Sequence, residues 1–197
     1  MKLILWFFRL IFKWNGWKLD DSLLRNEQIE RCVMIAAPHT SNWDLVYCLA
    51  AFDMMKLPVR FTIKKEWFRF PFNYIIEGLG GIPIDRSPKD PNQPRKSMVE
   101  AMADIFKDKE KICVLVTPEG TRKRNDKWKT GFYYVAQKAN VPIVCGYLDY
   151  KKREAGIGLK IIPTGNIKAE MKLISDFYAT KTPKFPEKFA LDKEYSS

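Results

Sequence analysis

The sequence predicts an α/β fold: a single domain with a largely parallel sheet flanked by helices, preceded by a short N-terminal amphipathic helix. Two observations predict it. Apolar runs of strand length alternate with segments of helical periodicity, and prolines or helix-capping residues separate them. The 197 residues suit one domain with a sizeable core. The composition, 46% hydrophobic with four cysteines, excludes a disordered chain and a disulfide scaffold.

Residues 1–18 predict a short amphipathic helix that lies in a membrane interface. At about 100° per residue, Lys2, Arg9 and Lys13 fall on one basic stripe, and the rest of the circumference is apolar. Fourteen helical residues would reach about 21 Å, short of the roughly 30 Å hydrocarbon core. We therefore expect residues 1–17 to bind an anionic membrane surface. A helix packed on the domain's own core is the alternative. Three tryptophans are expected at the membrane boundary: Trp6, Trp14 and Trp17.

The predicted strands are short apolar runs bounded by breakers. The run at 32–37 ends at Pro38, the run at 59–63 alternates in hydrophobicity, and the run at 112–116 is continuously apolar, as in a buried strand. In chain order the predicted strands are 32–37, 59–63, 82–84, 112–116, 141–150 and 158–162.

Capping residues predict where two of the helices begin. Thr40 and Ser41 are good N-caps for a helix over 42–55. Ser97 and Glu100 have the spacing of a capping box, which predicts that the next helix begins there.

The remaining segments are predicted from their breakers and polarity. Asn140 is the expected C-cap of a helix over 130–140. Residues 19–31 are polar and predicted to be irregular, and 87–96, with three prolines, is predicted to be a loop. A short helical stretch from Glu170 precedes an end rich in proline and lysine.

Cysteine and histidine usage indicates that the chain has no metal site. The sequence holds one histidine and no CxxC pair. Cys32, Cys113 and Cys145 lie in apolar runs, which predicts buried, reduced thiols and a cytosolic-side protein.

The net charge of +11 points to an anionic partner: nucleic acid, an anionic membrane or a phosphorylated substrate. A basic run from 122 to 129 is opposed only by Asp126, and taken alone it predicts a solvated loop. Nucleic acid is the least expected partner, because the run carries one aromatic residue, Trp128, and the sequence has no recognisable nucleic-acid-binding fold. The basic residues of the run are Arg122, Lys123, Arg124, Lys127 and Lys129.

His39 and Asp44 are candidate partners in acid–base catalysis. In a continuous helix they would point about 140° apart, so they can meet only if His39 sits on the turn before the helix. A carboxylate that accepts from one imidazole nitrogen leaves the other free as a general base. From the spacing alone, a capped helix start with His39 as a bystander stays open.

Polar clusters follow three predicted strands. One contains His39 and Asp44; Asp85-Arg86 and Glu119–Arg122 form the others. Because the carboxyl ends of parallel strands share one edge, these clusters are expected to gather there. Two arginines at one rim suit a phosphate. The sequence has no Walker or dinucleotide glycine signature, so nucleotide binding has no motif behind it.

Five segments resemble, in the same order, motifs of the glycerolipid (lysophosphatidic acid-type) acyltransferase superfamily. Residues 39–44, His-Thr-Ser-Asn-Trp-Asp, resemble its HX4D motif. The other four are 63–66 (a lysine-bearing stretch), 81–86, 118–122 and 141–144.

The resemblance implies acyl transfer from a thioester to the free hydroxyl of a lyso-lipid. The donor would be acyl-CoA or acyl-carrier protein, with no further cofactor. His39 would be the general base on the acceptor hydroxyl, and Asp44 its orienting partner. Arg86 and Arg122 would hold the acceptor's phosphate, with Lys64 a weaker candidate.

The resemblance also implies roles for the segment 118–122 and for the basic run. Glu119 would position the acceptor or the loop, with Gly120 and Thr121 beside it in the substrate site. The run from Lys123 to Lys129 would meet headgroups, CoA phosphates or an acidic carrier protein.

The leading hypothesis is an enzyme that makes phosphatidic acid from 1-acylglycerol 3-phosphate. It would be peripheral or monotopic on the cytoplasmic face of the membrane. Residues 1–18 would form the interfacial helix, and 19–197 the acyltransferase domain. Another lyso-lipid acceptor, such as a lyso-aminolipid, is the alternative. A remote alternative is a non-catalytic basic protein that binds membrane or nucleic acid.

Overall fold

A seven-stranded sheet lies at the centre of the fold, with helices on both faces. The computed structural model of the chain describes residues 2–64, 68, 70, 72–84 and 96–196. Its strands are β1 (Lys18–Asp20), β2 (Arg31–Ala36), β3 (Val59–Lys64), β4 (Gly81–Ile84), β5 (Ile112–Val116), β6 (Ile143–Asp149) and β7 (Glu154–Ile161). Its helices are α1 (Lys2–Trp14), α2 (Ser22–Asn26), α3 (Trp43–Met54), α4 (Phe72–Gly78), α5 (Met98–Asp104), α6 (Gly131–Ala139) and α7 (Ile167–Ala179), with a 3₁₀ turn at Pro186–Lys188.

The sheet is mostly parallel, as predicted. Its order is β1-β7-β6-β2-β5-β3-β4, and only the β6–β7 pairing is antiparallel. The carboxyl ends of β2 to β6 therefore share one edge, where a parallel sheet presents its ligand site.

The central strand β2 is buried on both faces. Val33 and Ile35 pack in one cluster with residues of α5, α6 and α7, whereas Cys32 and Met34 pack on the opposite side with α3. This alternation follows from the period of two along a strand. The predicted buried, free thiols are confirmed for Cys32 and its two counterparts on β5 and β6.

Two of the predicted caps are confirmed. Ser97 and Glu100 form both hydrogen bonds of a capping box at the start of α5. Asn140 ends α6 in the left-handed conformation, with φ of 50°. The N-cap of α3 is Asn42, one position later than the predicted Ser41, and its side chain forms no cap bond. The hydroxyl of Ser41 does accept from the backbone N–H of Trp43, the first helical residue, at 3.2 Å.

The prediction that residues 19–31 are irregular is wrong. Residues Lys18–Asp20 form the edge strand β1, paired in parallel with Glu154–Gly156 of β7, and α2 follows directly. Short polar strands carry no hydrophobic pattern of their own, and this one depends on a partner strand far along the chain.

Three element boundaries also differ from prediction. The strand predicted over 158–162 begins earlier, at Glu154, because it pairs antiparallel with β6. The last helix begins at Ile167, and β6 is confined to Ile143–Asp149. Of the loop predicted over 87–96, residues 87–95 lie outside the described residues.

Helix α1 packs one apolar side against α3. Phe12 is 2% exposed and contacts the rings of Trp17 and Tyr47, and Arg9 forms an ion pair with Asp53. Trp17 is buried and stacks on Tyr47 at 4.4 Å between ring centroids, so its predicted place at a membrane boundary is wrong.

The opposite side of α1 is apolar and exposed. Among the described helices, none combines the length and the apolar composition needed to cross a membrane. The division into residues 1–18 and 19–197 stays a prediction. The exposed apolar side chains of α1 are Leu3, Trp6, Phe7, Leu10 and Trp14.

Candidate active site

His39 and Asp44 meet at the carboxyl edge of the sheet. His39 lies on the turn that follows β2, and Asp44 is the second residue of α3. Nδ1 of His39 is 3.4 Å from Oδ2 of Asp44. The histidine therefore lies on the turn and the aspartate in the first helical turn, the arrangement that the spacing requires for the two to meet. The other imidazole nitrogen, Nε2, is left free of the carboxylate.

The carboxylate of Asp44 is held by hydrogen bonds on both oxygens. Oδ2 accepts from the backbone N–H groups of Thr40 and Ser41, each at 2.8 Å. Oδ1 accepts from the hydroxyl of Tyr150 at 2.6 Å. The side chain is only 6% exposed, so these donors replace the water that a charged carboxylate would otherwise require.

Tyr150 is a site residue that the sequence analysis missed. It follows directly on β6, the neighbour of β2 in the sheet. A signal for it was available: the end of the predicted strand 141–150 had to reach the same edge as the three polar clusters. Burial, and then the hydrogen bond to Asp44, raise the pKa of Tyr150 above its ordinary value, which keeps the phenol protonated.

Glu119 braces the turn that carries His39. Its carboxylate oxygen Oε1 accepts from the backbone N–H of His39 at 2.7 Å, and the residue is 0% exposed. Oε2 has no hydrogen-bond partner in the described structure. Burial raises the pKa of Glu119 to about 8, opposed by the His39 N–H and increased further by the charge of Asp44. Of the two expected roles, positioning the acceptor or the loop, the observed contact is with the loop.

Residues 120–122, which follow Glu119, are exposed. Gly120 has φ of +68°, a conformation that favours glycine, and Lys129 lies against it. The hydroxyl of Thr121 accepts from the N–H of Lys123 at 3.2 Å. The side chain of Arg122 borders a small pocket.

Two other predicted substrate residues cannot be placed in the site. Lys64 is the last residue of β3, opposite Ile84 of β4, and its side chain is outside the described structure. Arg86 lies outside the described residues, two positions beyond the end of β4.

His39 borders two apolar cavities. The larger has a volume of about 560 Å³ and runs from His39 between β5, α5 and α6. Its apolar lining includes Phe61, Met98, Met102, Leu115, Phe132 and Val135. The smaller, of about 80 Å³, lies between α3 and the ends of the central strands.

A third, polar cavity is lined by the residues that directly follow His39. It has a volume of about 290 Å³ and is lined by residues 40–43 together with Arg122, Phe185 and Lys188. None of the described residues that line it is acidic. We call it the basic pocket.

The C-terminal segment, residues 185–196, holds the basic run 122–129 against the domain. Trp128, near the end of that run, is buried, and its backbone N–H donates to Asp192 at 2.6 Å. Arg124 donates to the carbonyl of Phe189 at 2.8 Å. The five basic residues of the run are exposed, as predicted for a solvated loop, and Trp128 between them is the exception. An aromatic side chain amid five basic residues was the signal for a buried anchor.

The described residues contain no group of three or more His, Cys, Asp or Glu side chains that could hold a metal ion.

The chain matches a known family, whereas no curated protein matches the chain. The Acyltransferase family matches residues 22–148, more than half of the chain, from α2 into β6. The matched region contains the His39–Asp44 pair and the Glu119–Arg122 loop, but neither Tyr150 nor the C-terminal segment. The resemblance to the glycerolipid acyltransferases and the α/β fold expected from it are thus confirmed, and the chain belongs to the Acyltransferase family.

Proposed function

We propose that this acyltransferase is membrane-associated and transfers a fatty acyl group from a thioester to the free hydroxyl of 1-acylglycerol 3-phosphate, forming phosphatidic acid. The observation that carries the proposal is the His39–Asp44 pair, whose histidine lines an apolar cavity and is followed directly by residues that line a basic pocket.

The pair suits general-base catalysis without a covalent intermediate. Nε2 of His39 takes the proton from the acceptor hydroxyl while the hydroxyl oxygen attacks the thioester carbonyl carbon. The tetrahedral intermediate then collapses, the carbon–sulfur bond breaks, and the departing sulfur receives the proton back from the imidazolium. Asp44 keeps Nδ1 protonated and stabilises the imidazolium, the role of the carboxylate in a catalytic triad.

The larger cavity suits a fatty acyl chain. Its lining is mainly aliphatic and aromatic, and each buried CH₂ group contributes about 0.8 kcal/mol. Because His39 borders the cavity, a chain bound there would bring its carbonyl end toward Nε2.

The basic pocket suits the acceptor's phosphate. Arg122 supplies a planar guanidinium fork and Lys188 a second cation, and none of the described lining residues opposes them. Arg86 and Lys64 are further candidates from the sequence. A lyso-aminolipid without a phosphomonoester would leave these cations with less to bind, which places it second.

Helix α1 is proposed to dock on an anionic bilayer at the cytoplasmic face. Its exposed apolar stripe suits insertion among acyl chains, and Lys2 and Lys13 remain available for headgroups. Arg9, the third residue of the predicted basic stripe, pairs with Asp53 instead.

A panel of acceptors and donors tests the proposal. The purified protein is incubated on anionic vesicles with acyl-CoA or acyl-carrier protein and with 1-acylglycerol 3-phosphate, a lysophosphodiester or a lyso-aminolipid. The expected product is phosphatidic acid. Transfer only to acceptors without a phosphomonoester would overturn the acceptor assignment. A thioester that stays intact with every acceptor would overturn the enzymatic proposal in favour of a binding protein.

A further inference from the structure

We propose that Tyr150 is a positioning residue for acyl transfer, because its hydroxyl holds the Asp44 carboxylate in the orientation that meets the His39 imidazole. The inference rests on the function proposed above for His39 and Asp44. It concerns a residue two positions beyond the part of the chain that matches the family.

The two oxygens of Asp44 have separate tasks. Oδ2 receives the two backbone amides of residues 40 and 41 and also faces Nδ1 of His39. These contacts hold one oxygen and place no hydrogen bond on the other. The hydrogen bond from Tyr150 to Oδ1, at 2.6 Å, fixes the second oxygen and so the plane of the carboxylate.

Tyr150 is itself held in place. The ring of Trp17 meets it edge to face at 4.9 Å between centroids, and Tyr47 lies at 6.0 Å. The backbone N–H of Tyr150 donates to the carbonyl of Thr182 at 2.8 Å. The hydroxyl is thus pre-positioned, and it gives up little freedom when it binds Asp44.

Loss of the hydroxyl has an electrostatic consequence as well. Oδ1 of Asp44 would be buried without a partner among the described residues, and the charge of the carboxylate would act more strongly on the imidazole. The titratable groups around Tyr150 are Asp44, Tyr47 and Cys48, and of these only Asp44 exchanges a hydrogen bond with it.

The test is Tyr150→Phe, with Tyr47→Phe as the matched control. Tyr47 belongs to the same aromatic cluster, and its hydroxyl forms no hydrogen bond in the described structure, so the control removes a hydroxyl without removing a bond. We expect Tyr150→Phe to lower kcat about 10-fold with little change in acceptor KM. Tyr47→Phe is expected to stay within about 2-fold of the wild type.

A double-mutant cycle separates positioning from a general effect on folding. In an Asp44→Ala background, Tyr150→Phe is expected to cost less than about 2-fold, because the group it positions is gone. An equal cost in both backgrounds, or no effect in the wild-type background, would overturn the inference. These outcomes are distinct from failure of the proposed function, in which His39→Ala itself would leave acyl transfer intact. Thermal melting of each variant shows whether it has folded.

Discussion

The buried carboxylate of Glu119 accepts the backbone N–H of His39 at 2.7 Å, which joins the loop after β5 to the turn after β2. The two residues are 80 positions apart in sequence. The bond holds the backbone of the histidine, whereas Oδ2 of Asp44 lies 3.4 Å from Nδ1 of its ring. His39 therefore contacts two carboxyl groups in different surroundings. Glu119 is enclosed, whereas Asp44 accepts three hydrogen bonds.

The raised pKa of Glu119 predicts that the free energy of unfolding depends on pH. The folded protein keeps this carboxyl protonated up to pH about 8, whereas the unfolded chain releases the proton near the ordinary value of 4.5. The folded state therefore binds more protons in this window, and the group lowers the free energy of unfolding as pH rises through it. Glu119→Gln is expected to make the thermal midpoint less sensitive to pH between 5 and 8.

The control for this measurement is Glu100→Gln. The pKa of Glu100 is lowered by its hydrogen bonds with Ser97, so it is ionised in both states over the same window. We expect its substitution to leave the change of the thermal midpoint with pH as it is in the wild type. If the midpoint of Glu119→Gln changes with pH as much as that of the wild type, the assignment of a protonated Glu119 is contradicted.

His39→Ala should abolish turnover without releasing the protein from lipid. Loss of a general base costs about 10²- to 10⁴-fold in rate. Sedimentation with anionic vesicles should be unchanged, because α1 carries the proposed contact. A labelled acyl donor measures the rate, and Asp176→Asn, on the exposed surface of α7, is the control. Retained turnover in His39→Ala would exclude the histidine as the base.

The basic pocket predicts a selective change in acceptor affinity. Arg122→Ala and Lys188→Ala should each raise KM for 1-acylglycerol 3-phosphate, by about 10-fold for the arginine, because a charged hydrogen bond contributes about 1.5–3 kcal/mol. Arg122→Lys should restore little, since a bidentate fork is lost. Lys168→Ala, on α7, removes the same net charge from an exposed position and should leave KM unchanged. Identical effects of all three alanine variants would show a general charge effect instead of a site.

The two sides of α1 predict opposite behaviour. Trp14 is 92% exposed, so Trp14→Ser should weaken binding to anionic vesicles and leave the thermal midpoint unchanged. Phe12 is buried, so Phe12→Ala should destabilise the fold by about 3–5 kcal/mol. Vesicle sedimentation and thermal melting of both variants measure this. Undiminished vesicle binding after Trp6 and Trp14 are both replaced by serine would remove α1 as the membrane contact.

The sequence by itself determined the central strands, the principal helices and the turn that carries His39. Apolar runs such as 32–37 and 112–116 encode buried strands in their own residues, and the capping box at Ser97 needs only its neighbour at Glu100. The possible contact between His39 and Asp44 could also be predicted from the local sequence, because the two residues are only five positions apart.

The tertiary structure alone decided which distant residues complete the site. Tyr150 reaches Asp44 across 106 positions, and Asp192 reaches Trp128 across 64. Edge strand β1 likewise exists only because β7 pairs with it. Such contacts depend on strand order and register, which are set by the packing of the whole sheet and leave no periodic signal in the segments they join.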